Sequence, residues 1–472
     1  MDEIKRNKTS TNFIFYVGYQ ILIYLIPFII SPFLTRTLKE DSLGIFTFSN
    51  TIAVYFVLLA NLGIAKYGQR AISDKRNDQR STFWSLFFDH LIFSFISILV
   101  FLILLFTVFK TQVNVYSICI LYILSALFDV SWLFYGRENF KIVTIINGFF
   151  SIAKMILIFA LIRNESHLFI YQILYYGAFL LSNITIFLIA LRYVGKPTVD
   201  VKLMLKHIKP LLFFSLTVIS ITLYTIFNKT LIGLFFDKSE VAFYEYADKI
   251  IGIPKMLLLT IGTVLFPKMC ALQCEDEQEK IFAIHKVSLF FSIGIGIGAI
   301  FGLVAIGKPL IILYYGENFA RSGDYVIYMA PLVLFITLGD IFRTQFIIPR
   351  KNDKFYLLSV LLNAVVNLAI SFALIKPLGV LGVIIGSVTA EAVGCIVQMI
   401  YCRKSTNFKK IGMYLLVFSI CGAIMFGGVK LLAHFLPITG YLNIVILFVF
   451  ALAVYGTLFF GFLVIERKRH WA

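Results

Sequence analysis

Charge is scarce in this sequence. Asp, Glu, Lys and Arg make up 14% of 472 residues, where a soluble domain carries roughly 25%. With 60% hydrophobic residues as well, the chain cannot cover a water-facing surface, which excludes a soluble globular protein. Tryptophan is limited to 3 residues, against 50 phenylalanines. The six cysteines, Cys119, Cys270, Cys274, Cys395, Cys402 and Cys421, all fall in apolar runs or at their ends. That placement predicts no extracellular disulfide framework, and Cys270 with Cys274 lacks the further ligands of a zinc site. The histidines are scattered without metal-ligand spacing, and His167, His207, His285 and His470 are expected in or beside loops. A phosphate-binding P-loop and a dinucleotide fingerprint are both missing, which excludes ATP hydrolysis by this chain. No loop is longer than about 20 residues, so no soluble domain is expected. The first apolar run is too long for a cleavable signal and reads as a span that stays.

Long apolar runs are what the chain does have. A membrane-crossing helix needs ~20 apolar residues. That rule predicts an all-α polytopic membrane protein with about 14 transmembrane helices, at 12–34, 43–65, 83–109, 115–136, 142–162, 168–191, 210–236, 246–269, 284–306, 325–347, 356–375, 380–402, 411–434 and 441–465. Of the 42 basic residues, 28 lie in the termini and in alternate loops, against 8 in the other loops. Basic loops stay cytoplasmic, so both termini are expected there. The net charge of +17 then reflects topology and contact with anionic lipid, and nucleic acid is not an expected partner.

The chain repeats itself. Ser42-Leu43-Gly44-Ile45-Phe46-Thr47-Phe48-Ser49-Asn50-Thr51-Ile52 lines up with Glu240-Val241-Ala242-Phe243-Tyr244-Glu245-Tyr246-Ala247-Asp248-Lys249-Ile250. A second echo joins Arg137-Glu138-Asn139-Phe140-Lys141 and Asn147 to Arg350-Lys351-Asn352-Asp353-Lys354-Phe355 and Asn363. Repeats of this kind predict two six-helix bundles, residues 1–209 and 210–402, with residues 403–472 adding two further helices. Gly294, Gly298 and Gly302, and then Gly382, Gly386, Ala390 and Gly394, make small-residue stripes that allow close helix packing. Pro27, Pro254 and Pro331 fall inside spans and predict bends.

The chemistry lies in the charges within spans. A central charge costs ~2.5–3.5 kcal/mol even on the mildest insertion scale. Lys154 and Glu391 sit near mid-span, Lys229 and Lys255 belong to the hairpin Pro210–Met269, and Asp340 with Arg343 is three residues apart on one helix face. Asp89 and Asp129 lie within the third and fourth spans. Lys154, Lys229 and Lys255 either pair with distant carboxylates or face a cavity that wants an anion. Asp340–Arg343 reads as a local ion pair. Asp248 is expected to cap the eighth span. Glu391 either pairs with a lysine or takes up H⁺ or Na⁺.

Several short motifs carry a resemblance. Pro32-Phe33-Leu34-Thr35-Arg36-Thr37-Leu38 with Leu43-Gly44-Ile45-Phe46, Asn61-Leu62-Gly63-Ile64-Ala65 leading to Arg70, and Trp132-Leu133-Phe134-Tyr135-Gly136-Arg137-Glu138 resemble polysaccharide-exporting flippases. Leu265-Phe266-Pro267 and Gly316-Glu317-Asn318-Phe319 fit the same family, the O-antigen and capsule repeat-unit translocases. The resemblance, over roughly residues 10–400, implies the multidrug/oligosaccharidyl-lipid/polysaccharide exporter superfamily. Its fold has two six-helix bundles around a central cavity that opens alternately to each side. It implies movement of an undecaprenyl-pyrophosphate-linked oligosaccharide across the bacterial cytoplasmic (inner) membrane, with Arg36 matching the motif arginine. Arg36, Lys154, Lys229, Lys255 and Arg343 are then candidate substrate ligands. Glu391, Asp340, Asp89 and Asp129 are candidates for ion coupling or charge pairing. No cofactor is implied beyond H⁺ or Na⁺. Expected partners are membrane lipids and the polymerase and chain-length proteins of the pathway. Two other readings are a drug/cation antiporter of the same fold and a polysaccharide polymerase. The lysines disfavour the first, and the lack of a long outer loop disfavours the second.

Overall fold

The computed structural model describes residues 22–470, apart from 24, 75, 77, 276 and 436–439. Among the described residues every regular element is a helix. Among them eleven helices are long and apolar enough to cross a membrane, or twelve when one bent pair counts as a single span. The polytopic helical class is borne out. The described residues leave out most of the first expected span and several side chains of the seventh, which falls within Val201–Phe235, so those two of the fourteen expected spans are not among those counted. Large apolar side chains point outward: Phe95, Phe106 and Phe149 are each 65% exposed. In water that surface would aggregate, whereas in lipid it is matched.

Two compact units divide the chain, Met1–Ala242 and Phe243–Ala472. In the first, Lys39–Asn61 ends at Leu62 and Gly63, both with positive φ (31° and 74°), and Ile64–Ser73 follows. The Gly63 backbone lies against Phe214 and Ser215, where a Cβ would come within 2.6 Å of the Ser215 nitrogen. The Asn61-Leu62-Gly63 motif therefore makes a kink that a side chain would block. Val201–Phe235 starts at Asp200, whose carboxylate accepts from Leu203 N (3.0 Å), and packs on the same helices.

The expected span 115–136 is broken at Phe128–Val130, between Ile120–Leu127 and Ser131–Gly136. The span expected at 325–347 consists of two helices bent by 45°, and Pro331 stands at the break. There the missing N–H and the ring clash end one helix. The second echo holds in the backbone. Glu138 and Lys351 occupy the same place in their turns, and both have φ of 56°. The following Asn139 and Asn352 donate back to Phe134 O (2.8 Å) and Ile347 O (3.1 Å).

In the second unit the small-residue stripes receive neighbouring helices. Gly298 faces the Tyr455 ring, and Gly382 faces the Leu374 backbone. His207 and His285, expected near loops, are instead buried in helices. Gln278–Tyr315 has 38 residues and, at ~1.5 Å per residue, is far longer than a ~30 Å hydrocarbon layer. Within this helix His285 is buried against Gln345 (Nδ1 to Oε1 2.8 Å), which donates in turn to Ser288 Oγ. One π-helical turn, Arg343–Ile347, includes that glutamine.

Candidate functional site

A cavity of about 320 Å³ lies within the first unit. Five helices and the break between two of them build it, Ile120–Leu127 adding Tyr122 and Ser125 and Ser131–Gly136 adding Tyr135. Phe140–Leu161 contributes Asn147, Ser151 and Lys154, which share one face at spacings of four and three residues. Leu168–Val194 contributes Ser182 and Asn183. Asn61, the last residue of Lys39–Asn61, also lines it. Asp129 comes from the break in the fourth span. It is not a mid-helix carboxylate: Oδ1 accepts from Ser131 N at 3.1 Å and from Ser131 Oγ at 2.5 Å, an Asx-type turn that leads into the short helix after the break.

Lys154 Nζ stands 4.8 Å from the Tyr175 ring centroid and 5.0 Å from that of Phe179. Among the described residues no carboxylate lies within ion-pair distance of it. Aromatic faces thus hold the ammonium in place of a counter-ion. Asn147 accepts from Ser182 Oγ, and Asn183 donates to the Ser125 carbonyl at 2.8 Å. The wall is polar, carries both signs of charge and is ordered by its own hydrogen bonds.

The other expected site residues lie elsewhere. Lys255 pairs with Asp248 at 3.1 Å, two turns away on the same helix. That corrects the role expected for Asp248: the helix begins at Lys238, ten residues earlier, so Asp248 is no cap. Arg343 pairs with Asp340, whose carboxylate lies against Gly262, and its guanidinium stacks 5.7 Å above Tyr356. Arg36 is exposed and donates to the Pro32 carbonyl at 2.9 Å. Lys229 and Glu391 are half-buried, each on its own helix. Asp89 is buried, and among the described residues nothing bonds its Oδ2; the ring nitrogens of the adjacent His90 are likewise unbonded.

The cavity therefore brings together Lys154 and Asp129 from the expected set, while Arg36, Lys229, Lys255, Arg343, Asp340, Glu391 and Asp89 lie outside its lining. Ser151 and Ser182 were not read from the sequence. The 147, 151, 154 spacing was the available signal for Ser151, but Ser182 had none.

Lipid-facing helices that enclose a polar cavity define a multi-pass membrane transport protein. The chain belongs to the polysaccharide biosynthesis protein family, whose model matches residues 10–273. It is 27% identical over 381 residues to the "Putative O-antigen transporter" of Shigella dysenteriae, spanning 78% of this chain and 93% of that protein. A protein of the same name from Escherichia coli (strain K12) is 21% identical over 393 residues, spanning 81% and 94%. The fold is similar to that of the lipid II flippase MurJ in its inward closed conformation, with TM-score 0.74 and 14% identity over 97% of this chain and 99% of the other. A MATE structure in the bent conformation matches with TM-score 0.53 over 88% and 97%. The motif resemblance to polysaccharide flippases of the multidrug/oligosaccharidyl-lipid/polysaccharide exporter superfamily is borne out.

Proposed function

We propose that the protein flips an undecaprenyl-pyrophosphate-linked oligosaccharide repeat unit from the cytoplasmic to the outer leaflet, by alternating access, for surface polysaccharide assembly. The observation that carries this reading is a mixed-charge polar cavity, with Lys154 unpaired among the described residues, inside a lipid-facing helical unit of this family. Sugars and pyrophosphate cannot cross hydrocarbon unaided, because polar groups without partners are expensive there. A cavity of amides, hydroxyls and charges substitutes for water while the lipid tail stays in the bilayer. Arg36, Lys154 and Lys229 are the cations we assign to the substrate; Lys255 and Arg343 are already held by carboxylates. The bundles 1–209 and 210–402 would carry the alternation, with 403–472 appended. Both termini would be cytoplasmic in a bacterial inner membrane, as the 28 basic residues in alternate segments favour.

Deletion of the protein, followed by analysis of undecaprenyl-linked intermediates, tests the reading. Lipid-linked repeat units should accumulate facing the cytoplasm. Single units accumulating on the outer face would mean a polymerase and would sink the flippase reading.

Asp89 is the carboxylate we assign to ion coupling, with H⁺ or Na⁺ as the ion. A buried carboxyl whose oxygen lacks a partner favours proton or cation uptake over a bare charge. Asp89→Asn is expected to keep protein levels and to remove the gradient dependence of export, while Asp89→Glu retains it. Flipping assays in vesicles with an imposed pH or sodium gradient measure this. An Asn variant that responds to the gradient like wild type refutes the assignment.

A further inference from the structure

The cavity of the first unit has the wrong charge pattern for a pyrophosphate. Lys154 would attract the anion, but the Asp129 carboxylate stands in the same wall and would repel it. Among the described residues Asp129 is not neutralised by any cation: its partners are the Ser131 amide and hydroxyl, both on Oδ1, which leaves Oδ2 without a bond. Lys154 rests on Tyr175 and Phe179. A positive and a negative group therefore share one space without pairing with each other. The other polar groups of the wall are amides and hydroxyls, among them Asn61, Asn147, Asn183 and Ser182. Amides and hydroxyls both donate and accept, as sugar hydroxyls do, whereas a phosphate oxygen only accepts. Phe150 and Phe179 add flat apolar faces, suited to the C–H face of a ring. The volume of about 320 Å³ is at the small end of the ~300–1,000 Å³ range for ligand pockets.

We propose that this cavity is a recognition site for an uncharged sugar ring of the cargo, with Lys154 donating to and Asp129 accepting from its hydroxyls, and that the pyrophosphate is held elsewhere. The proposal rests on the glycan-flippase reading and refines it: charge in the first unit selects the sugar.

The test uses the full-length protein in lipid nanodiscs and two probes. One is the oligosaccharide released by mild acid from the host's own lipid-linked pool; the other is inorganic pyrophosphate. Calorimetric titration should show the oligosaccharide bound by wild type. Asp129→Asn and Lys154→Met should each weaken it by about tenfold or more, since each removes a charge-assisted hydrogen bond. Pyrophosphate binding should be unchanged by both. Asparagine keeps an acceptor for the Ser131 amide, and methionine keeps an apolar stem over the rings, so both variants preserve the local packing. Asp129→Glu and Lys154→Arg, which keep the charges, serve if either variant fails to fold, and should bind the oligosaccharide. Pyrophosphate binding that tightens in Asp129→Asn and is lost in Lys154→Met overturns the proposal, because that is how an anion pocket behaves. Oligosaccharide binding that is absent in wild type, or indifferent to both variants, also overturns it. Failure of the flippase reading is seen separately, in the leaflet distribution of intermediates after deletion.

Discussion

Gly44→Leu is expected to leave less than about a tenth of the folded protein in the membrane. Gly44 lies on Lys39–Asn61, facing the start of Lys238–Cys274. A Cβ there would fall onto the Lys238 carbonyl and within 2.7 Å of Ser239 N. The obstacle is backbone, which cannot swing aside as a flexible side chain does. One turn further along, Phe48 packs its ring onto Gly233 of Val201–Phe235, and Lys238 Nζ stands 3.8 Å from the centre of that ring. The turn between the two helices is thus clamped onto Lys39–Asn61 from both sides. Overpacking a well-fitted core costs ~1–3 kcal/mol and more where the backbone must move, against a total stability of ~5–15 kcal/mol. Fluorescence-detected size exclusion of a tagged protein measures the outcome. A monodisperse Gly44→Leu peak of wild-type height would show that the clamp is dispensable. The Leu43-Gly44-Ile45-Phe46 motif would then need an explanation other than packing.

The second large effect is expected at Glu466. Its side chain is only 2% exposed, on the last helix, Tyr441–His470. It accepts from Tyr414 Oη at 2.7 Å and from Lys410 Nζ at 3.2 Å, and so ties that helix to Phe408–Phe435. Removing one partner of a buried pair costs ~3–5 kcal/mol, because the other is left without compensation. Lys410 is partly exposed, so the lower end applies. Glu466→Ala should lower the thermal midpoint of the solubilised protein markedly. Glu466→Gln, which still accepts from Tyr414, should lower it by about half as much. Equal midpoints for wild type and Glu466→Ala would remove this contact from the account of stability. Phe290 of the same unit packs against Phe418 and Phe459 in these two helices.

Of two ion pairs between residues close along one helix, one is legible in the sequence. Arg343 and Asp340, three apart, pair as expected. Lys255 and Asp248, seven apart on one helix, also pair. The second is not legible there, because the apolar run begins at 246 and makes Asp248 a terminal residue. Starting the helix at Lys238 places both carboxylate and lysine well inside it. Asp129 shows a different limit. The run 115–136 is apolar almost throughout, so hydropathy reads a continuous helix. The only local sign of the break is Asp129-Val130-Ser131, an acceptor two residues before a donor. His285 and Gln345, sixty residues apart, carried no local signal of their contact.

Composition and loop charge settle that this chain is a multi-pass helical membrane protein, since lipid leaves helices as the form that satisfies every backbone group. Short motifs settle the family, because glycines such as Gly44 and Gly63 sit where backbones meet, and those meetings define the fold. The repeat was readable as well, down to a turn that places Glu138 and Lys351 at the same positive φ. The partners of buried charges were not readable. Whether a lysine in a span faces a carboxylate, as Lys255 does, or aromatic rings and a cavity, as Lys154 does, depends on which helix faces lie together. Helical periodicity restricts that choice without making it. Packing of separate helices makes it, and so brings Asp129, Asn147, Lys154 and Ser182 around one space.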